Sequence, residues 1–357
     1  RRRLLANGKL GLIYPGSIPR RLLQSITKEY EYHENPLRHL LQYTYVRFAT
    51  SFPMEWLTTT AIINIDPWPK MIERCCIVPG NHSLRLIELD RNSCRVILKN
   101  GFNREFIQAE VSLRQVYPDL PTPKLLNIDN LPESYSEERI SGLPLGRVPN
   151  LLKRNFTLIQ AQQSLCRLYA KTQQSIETEK WLNSLQIKIE NGVKNLPKIY
   201  CPTDSKEILP LQLSLAEIVL TKAPSIIETL VTHGDFQGAN ILADADDKSE
   251  RIHIIDWEYT DRRYHLYDAL VFSAQSRFPA GLNDRLHKLL ADDKSLPDWR
   301  WCIHEIGRPE NLERWMIAAF LLEDLLVRLK EQSIPGLKVK SEGLMQFTTE
   351  AREFVDG

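Results

Sequence analysis

The residues with chemical potential are concentrated in one stretch, residues 231–258. It contains His233-Gly234-Asp235, then Asn240 five residues after the aspartate, then an apolar run that delivers Asp256. Phosphoryl transfer needs one carboxylate to orient and deprotonate the attacking hydroxyl, and oxygen ligands that hold Mg²⁺ against the phosphates. This stretch supplies both kinds of group, so its residue types and spacing favour phosphoryl transfer.

A tight loop and a hairpin are expected to bring these side chains together. The loop begins at Gly234, so Asp235 and Asn240 can point into the same cleft from opposite ends of one turn. The flanking strands, 241–243 and 252–255, then form a hairpin that returns Asp256 beside Asn240. Aspartate and asparagine are also ordinary turn residues, but a simple capped turn does not predict this joint spacing.

The stretch resembles the aminoglycoside phosphotransferase and choline kinase family, whose motif is HGDxxxxN followed by an I-D-W-E segment. The matching positions are His233, Gly234, Asp235, Asn240, Ile255, Asp256, Trp257 and Glu258. The resemblance implies that Asp235 is the catalytic base and that Asn240 and Asp256 bind Mg²⁺. It also implies that Asp268 supports the catalytic loop. We interpret His233 as a residue that hydrogen-bonds the backbone of this loop rather than as a catalytic group.

The same resemblance assigns nucleotide-binding roles to residues nearer the N-terminus. Lys99, which ends the segment VILK, is similar to the lysine that grips the α- and β-phosphates. Its expected ion-pair partner is Glu110 on the following helix, with Glu105 as the alternative. Backbone groups near Glu138 and Ile140 are expected to meet the base of ATP, with GTP as the alternative nucleotide.

The loop expected to cover the phosphates is Pro79-Gly80-Asn81-His82-Ser83, which has a single glycine. Fewer backbone N–H groups can approach a phosphate here than in a glycine-rich loop. More of the nucleotide grip is therefore expected to come from Lys99 and Mg²⁺.

Hydrophobic patterning predicts three short strands within residues 71–99, followed by a helix over 104–117 that stops at Pro118. Two further strands are predicted at 124–128 and 135–140. Beyond Pro149 the pattern is mostly helical, and its clearest helices are predicted at 156–175 and 311–330.

These patterns and the resemblance predict an α+β, bilobal protein-kinase-like fold. Residues 1–70 are expected to be an N-terminal helical extension of unknown role. A small β-rich N-lobe is expected over 71–140, and a larger, mainly helical C-lobe with the catalytic loop and acceptor site over 141–357. Glu323 and Asp324, on a late helix, could bind a cationic or polyhydroxyl acceptor, and a solvated helix face is the preferred interpretation.

Composition narrows the class of protein. The 46 basic and 45 acidic residues leave a net charge of +1, which supplies no general attraction to nucleic acid or to an anionic membrane. The six cysteines lack the CxxC spacing of metal sites, so reduced structural thiols are expected. No apolar run is long enough to cross a bilayer. A cytoplasmic protein without a nucleic-acid partner or membrane span is therefore expected.

The predicted reaction is Mg²⁺-dependent transfer of the γ-phosphate of a nucleoside triphosphate to a hydroxyl of a small molecule. A sugar or other polyhydroxyl metabolite is the first expectation for the acceptor, and an aminoglycoside or choline-like amino alcohol is the second. A nucleotide-binding regulatory protein with weak catalysis is the alternative from another class. A protein kinase is disfavoured because no APE-like segment follows Asp256.

Overall fold

The computed structural model describes residues 3–33, 36–51, 54–64, 70–88, 91–200, 202–244, 249–305, 311–334 and 339–357. The chain folds into two compact units. The first unit comprises Arg1–Ala161 and Gly238–Ile255, and the second comprises Gln162–Gln237 and Asp256–Gly357.

The strands in chain order are β1 (Arg3–Asn7), β2 (Leu12–Pro15), β3 (Ala61–Asn64), β4 (Cys75–Pro79), β5 (Ser83–Glu88), β6 (Ser93–Leu98), β7 (Leu125–Asn127), β8 (Ser134–Glu138), β9 (Gly142–Pro144), β10 (Gln174–Glu177), β11 (Ile226–Thr232), β12 (Ile241–Asp244), β13 (Ile252–Ile254) and β14 (Asp261–Tyr264). The α-helices are α1 (Arg20–Thr27), α2 (Pro36–Ala49), α3 (Glu55–Thr58), α4 (Glu105–Val116), α5 (Leu151–Thr172), α6 (Thr178–Lys194), α7 (Pro202–Lys222), α8 (Tyr267–Ser273), α9 (Leu282–Leu290), α10 (Arg314–Gln332) and α11 (Glu342–Asp356).

An antiparallel sheet of eight strands organises the first unit, in the order β3-β1-β2-β4-β5-β6-β8-β7. Strands alternate their side chains between two faces, and on one face Cys94, Val96 and Tyr135 are buried. They pack against Ile107 and Val111 of α4, which shows its apolar residues at helical spacing. This packing fixes α4 against strands β6 and β8 of the sheet.

The prediction of a helical N-terminal extension over residues 1–70 was wrong. Strands β1, β2 and β3 lie in this region and belong to the main sheet, where Ile13 of β2 pairs with Ile77 of β4. Leu5 and Tyr14 are fully buried in one apolar cluster with Cys76 of β4. Short runs with alternating buried side chains read as strands once a neighbouring strand covers one face. The β-rich unit therefore begins at the N-terminus of the chain.

The predicted hairpin is confirmed. Strands β12 and β13 pair antiparallel, with Ile241 opposite Ile254 and Ala243 opposite Ile252. Strand β9 pairs with the other edge of β12. These three strands form a small sheet within the first unit.

The second unit is mainly helical and includes a three-stranded sheet in the order β10-β11-β14. Helix α10 is buried along nearly its whole length, from Trp315 to Leu329. A helix that is buried on all sides is typical of the centre of a helical core. The expected α+β class, with a β-rich first part and a mainly helical second part, is confirmed.

The strands and helices predicted from patterning also form close to their expected bounds. The predicted helices at 104–117, 156–175 and 311–330 are α4, α5 and α10. Across the described ranges, no helix combines the length and the apolar character that crossing a bilayer requires.

Candidate catalytic and nucleotide-binding sites

The loop that presents Asp235 begins where β11 ends, at Thr232. Gly234 has a φ of +88°, and a Cβ at this position would overlap the carbonyl of Tyr259. Only glycine combines that backbone conformation with so close an approach. The chain therefore reverses sharply at Gly234 and places Asp235 on a short, constrained turn.

Asp268, in the first turn of α8, holds this loop through its backbone. Its carboxylate accepts hydrogen bonds from the N–H of His233 at 2.6 Å and of Gly234 at 2.9 Å. It also accepts from the hydroxyl of Tyr169 at 2.7 Å. Asp268 is almost completely buried, and a buried carboxylate needs such donors to offset its lost hydration. Asp268 therefore holds the backbone of the loop that carries Asp235.

His233 also acts within the loop. Its Nδ1 accepts a hydrogen bond from the N–H of Asp235 at 3.1 Å, and the ring is fully buried against Trp257. A buried imidazole that is bound to its own loop is in a position to support that loop.

Both carboxylate oxygens of Asp235 accept hydrogen bonds. Oδ1 accepts from Nε of Arg277 at 2.6 Å, and Oδ2 accepts from Nε2 of Gln237 at 2.9 Å. Arg277 also donates to Oδ1 of Asp324 at 2.9 Å and to the carbonyl of Gly234. The guanidinium therefore joins the loop backbone, the Asp235 carboxylate and helix α10.

Sequence reasoning missed Arg277. It lies beyond the end of α8, outside the matched motif, and no spacing rule connects an arginine there with Asp235. Only the packing of the segment after α8 against α10 reveals the pairing. No sequence signal of the kind used above could have identified it.

The interpretation of Glu323 and Asp324 as a solvated helix face was wrong. Both are buried in α10, where they meet donors from neighbouring elements. Burial acts to raise the pKa of Asp324, but the charges of Arg277 and Arg328 outweigh it and lower that pKa. Burial raises the pKa of Glu323 to about 8, although it accepts hydrogen bonds from the N–H of Tyr264.

The two expected Mg²⁺ ligands, Asn240 and Asp256, flank the hairpin. Asn240 is buried at the end of a single 3₁₀ turn, and its carbonyl accepts a hydrogen bond from the N–H of Ile255 at 3.0 Å. Asp256 follows Ile255 directly and has a left-handed backbone, with φ of 71°. That conformation is uncommon for a residue with a side chain and often marks a functional position.

The donor chemistry of this pair fits Mg²⁺. An amide and a carboxylate offer oxygen ligands, and Mg²⁺ is usually bound by one or two protein ligands together with waters and phosphates. The described residues contain no cluster of three or more His, Cys, Asp or Glu side chains of the kind that encloses a metal ion. A site completed by phosphate oxygens does not need one.

The expected ion pair between Lys99 and Glu110 does not form. Nζ of Lys99 donates to the carbonyls of Gly80 and Asn81, because Lys99 lies just past the end of β6, beside the loop between β4 and β5. The alternative partner, Glu105, is exposed and accepts from Asn103 instead. Lys99 is thus positioned to fix the loop over residues 79–83.

Glu110 is buried and pairs with a different cation. Arg114, one turn later on α4, donates to Glu110 at 3.1 Å and to Glu137 of β8 at 2.7 Å. Glu137 also accepts from Arg85 of β5 at 3.1 Å. Four alternating charges therefore cross from α4 to β5, and Arg85 is the cation at the sheet end of this network.

The loop over residues 79–83 is a compact turn. The N–H of Gly80 donates to the carbonyl of Ser83 at 2.9 Å, and Ser83 is buried where it opens β5. Ser83 therefore serves the turn, and its expected contact with a nucleotide stays a prediction.

The first unit contains a cavity of about 630 Å³ next to the segment that joins β8 to β9. The lining includes apolar side chains from the two sheets, such as Val78, Ile87 and Leu242. The described lining residues are Ile26, Lys28, Tyr30, Val78, Arg85, Ile87, Cys94, Pro123, Glu137, Glu138, Arg139, Ile140, Ser141, Gly142, Leu143, Pro144, Ala239, Leu242 and Ile255. Its size and mixed apolar and polar lining are typical of a small-molecule or cofactor site.

Glu138 and Ile140 both line this cavity, but they differ in their backbone hydrogen bonds. The N–H of Glu138 donates to the carbonyl of Lys124 at 2.8 Å, so it is already engaged. Within the part of the chain that the structure describes, neither the N–H nor the C=O of Ile140 has a hydrogen-bond partner. Ile140 therefore presents an adjacent donor and acceptor at the cavity wall.

No family model and no curated protein matches this chain. Several solved structures are similar to it at low identity. Choline kinase LicA from Streptococcus pneumoniae matches with a TM-score of 0.49 and 11% identity, over 89% of this chain and 99% of that chain. The same kinase has been solved in complex with AMP.

Two further structures show a comparable degree of likeness. A choline/ethanolamine kinase family protein from Mesorhizobium loti matches with a TM-score of 0.45 and 16% identity, over 82% of this chain and 87% of that chain. A thermostable mutant of the aminoglycoside phosphotransferase APH(4)-Ia matches with a TM-score of 0.46 and 13% identity, over 78% and 92% of the two chains. At this level of likeness, the activities of those proteins are stated of those proteins alone.

Proposed function

We propose that this protein transfers the γ-phosphate of ATP to a hydroxyl of a small molecule, with Mg²⁺ as cofactor. The observation that carries the proposal is the constrained loop at Gly234, which fixes the buried carboxylate of Asp235 through Asp268 and Arg277. A carboxylate fixed in this way suits the orientation of an attacking hydroxyl, which is the main task of the protein in phosphoryl transfer.

Asp235 orients the acceptor hydroxyl and takes its proton as the hydroxyl oxygen bonds to the γ-phosphorus of ATP, while the bond from that phosphorus to the β-phosphate breaks and ADP leaves. Each carboxylate oxygen has more than one acceptor site, so Asp235 can bind the hydroxyl while it keeps its hydrogen bonds to Arg277 and Gln237. Asn240 and Asp256 would hold Mg²⁺, which supplies charge neutralisation at the phosphates when it is bound. Most of the rate gain would come from positioning and charge.

The cavity of the first unit is the proposed nucleotide site. Ile140 offers its N–H and C=O to the edge of a base, and apolar side chains such as Val78 and Leu242 suit the two faces. Arg85 also lines the cavity, as the cation that ends the buried charge network, whereas Lys99 supports the loop over 79–83. We therefore assign part of the phosphate grip to Arg85 as well as to Lys99.

For the acceptor we place amino alcohols and aminoglycosides first, and sugars and other polyhydroxyl metabolites second. The solved structures that are similar to this chain are those of kinases named for choline, ethanolamine or aminoglycosides. This order differs from the expectation based on the sequence, which placed sugars first.

A nucleotide-consumption assay over these acceptors tests the proposal. The panel would contain amino alcohols, aminoglycosides and sugars, each with MgATP and MgGTP, and reactions with EDTA as the metal-free control. We expect turnover with at least one small-molecule acceptor, and no turnover once the metal is removed. Nucleotide binding without turnover on any acceptor would instead support the regulatory alternative.

Asp235→Asn is the matched variant for the catalytic assignment. We expect its kcat to fall at least about a thousandfold, because the amide can orient the hydroxyl but cannot accept its proton. Its Kd for MgATP should change less than about threefold. Asp284→Asn, at an exposed position on α9, is the control and should keep wild-type turnover. Near-normal turnover in Asp235→Asn would contradict the assignment of the base.

A further inference from the structure

A segment of the N-terminal region borders the cavity of the first unit. Ile26 at the end of α1, and Lys28 and Tyr30 on the 3₁₀ turn that follows, all line it. These residues precede the predicted N-lobe, and no motif in the sequence assigns them a role. Part of the cavity wall therefore comes from residues that precede the predicted N-lobe.

This wall is held in place by apolar packing. Leu23 and Ile26 are buried in the same cluster as Cys76 of β4, and Tyr30 packs against that cluster. The guanidinium of Arg147 lies over the ring of Tyr30 at 4.6 Å from its centroid. These contacts hold the half-buried ring in place, and the part of it that lines the cavity offers a rigid surface at little entropic cost.

The charges around the cavity favour an anion. Three cations are found among its described lining residues, Lys28, Arg85 and Arg139, together with two carboxylates, Glu137 and Glu138. Glu137 is only 3% exposed and already binds two arginines. Arg85 is one of these two arginines, so Arg85 and Glu137 offset each other, and Lys28 and Arg139 outweigh the remaining carboxylate, Glu138.

We infer that the N-terminal segment is part of the nucleotide site, with Tyr30 in contact with the base and Lys28 close to the phosphates. The inference rests on the proposed function for the identity of the ligand. An aromatic ring provides a stacking surface for any base. Lys28 is exposed, and its charge acts on the phosphates through solvent, with a smaller effect.

Calorimetric titrations of the protein with MgATP and with adenosine separate the two contacts. Tyr30→Ala should weaken the binding of both ligands about tenfold, because both carry the base. Tyr30→Phe keeps the ring and should stay within about twofold of wild type. Lys28→Ala should weaken MgATP about threefold and leave adenosine unchanged, because adenosine has no phosphate. Arg21→Ala, an exposed cation on α1 that does not line the cavity, is the control for lost charge.

The outcomes distinguish this inference from the proposed function. If wild type binds MgATP but Tyr30→Ala and Lys28→Ala bind it equally well, the inference is wrong and the proposed function stands. If wild type binds neither ligand, both are wrong. A melting curve of each variant shows whether it is folded, and Tyr30→Phe supports the contact if it restores what Tyr30→Ala loses.

Discussion

Nε of Arg277 donates to Oδ1 of Asp235 at 2.6 Å, while Nη1 of the same guanidinium donates to Asp324 of α10 at 2.9 Å. The proposed base is therefore attached, through one cation, to the central helix of the second unit. The carboxylates of Asp235 and Asp324 are both largely buried. The planar guanidinium of Arg277 can donate to both at once, so arginine is well suited to join them.

Replacement of Arg277 by lysine tests the importance of this geometry. Lysine keeps the positive charge but cannot form the same set of directed hydrogen bonds. We expect kcat to fall about tenfold or more, with little change in the Kd for MgATP, because Asp235 loses its orientation. Steady-state kinetics and calorimetry would measure the two quantities, with Arg300→Lys as the control. Unchanged kcat in Arg277→Lys would show that Arg277 does not position the base.

Replacement of Arg277 by methionine tests stability. The change leaves Asp324 with only its remaining partners in a buried site, and an uncompensated buried charge is strongly unfavourable. We expect the free energy of unfolding to fall by about 3 kcal/mol. Chemical denaturation followed by fluorescence would measure it. The double change Arg277→Met with Asp324→Asn should recover part of the loss, and failure to recover would argue against the ion pair as its cause.

Asp268→Asn tests the support of the catalytic loop. The side chain keeps its shape, but one carboxylate oxygen becomes an NH₂ group that cannot accept from His233 N–H or Gly234 N–H. We expect a loss of about 2 kcal/mol in unfolding free energy and a clear drop in kcat. Calorimetric melting and the turnover assay would measure both. Normal stability in Asp268→Asn would contradict the role of this carboxylate in the loop.

Gly234→Ala tests the sharp turn before Asp235. Alanine would have to adopt a φ of +88° and would clash with the carbonyl of Tyr259, so we expect a loss of about 3 kcal/mol or more. Gly146→Ala is the matched control, because a Cβ there meets open space. Comparable melting temperatures for the two variants would refute the steric requirement at Gly234.

Glu323→Gln tests the effect of pH on stability. The folded-state pKa of Glu323 is raised to about 8 from an ordinary value of 4.5, so the folded protein binds more protons than the unfolded chain between these values. Stability should therefore fall as pH rises from about 5 to 8. Glutamine does not titrate, and Glu323→Gln should remove on the order of 3 kcal/mol of this decline. Denaturation midpoints over that pH range would show parallel curves if Glu323 made no contribution.

Much of the fold follows from local patterning. The helical periodicity of residues 104–117 and the strand-like runs between 75 and 99 each depend on residues close in the chain, so they were predictable. The assignment of residues 1–70 failed for the opposite reason. Their strands are short, and their pairing with β4 and with one another is a long-range property that periodicity does not report.

The candidate site divides in the same way. Asp235, Asn240 and Asp256 lie within one continuous motif, and the hairpin between the last two is local, so the sequence by itself determined which residues are candidates for the chemistry. The partners of Lys99 and Asp235 were decided by tertiary structure. Lys99 donates to the loop rather than to Glu110, and Arg277 donates to Asp235, whereas Arg114 pairs with Glu110 one turn away on the same helix. Long charged side chains can reach many neighbours, and only the packing of distant segments selects among them.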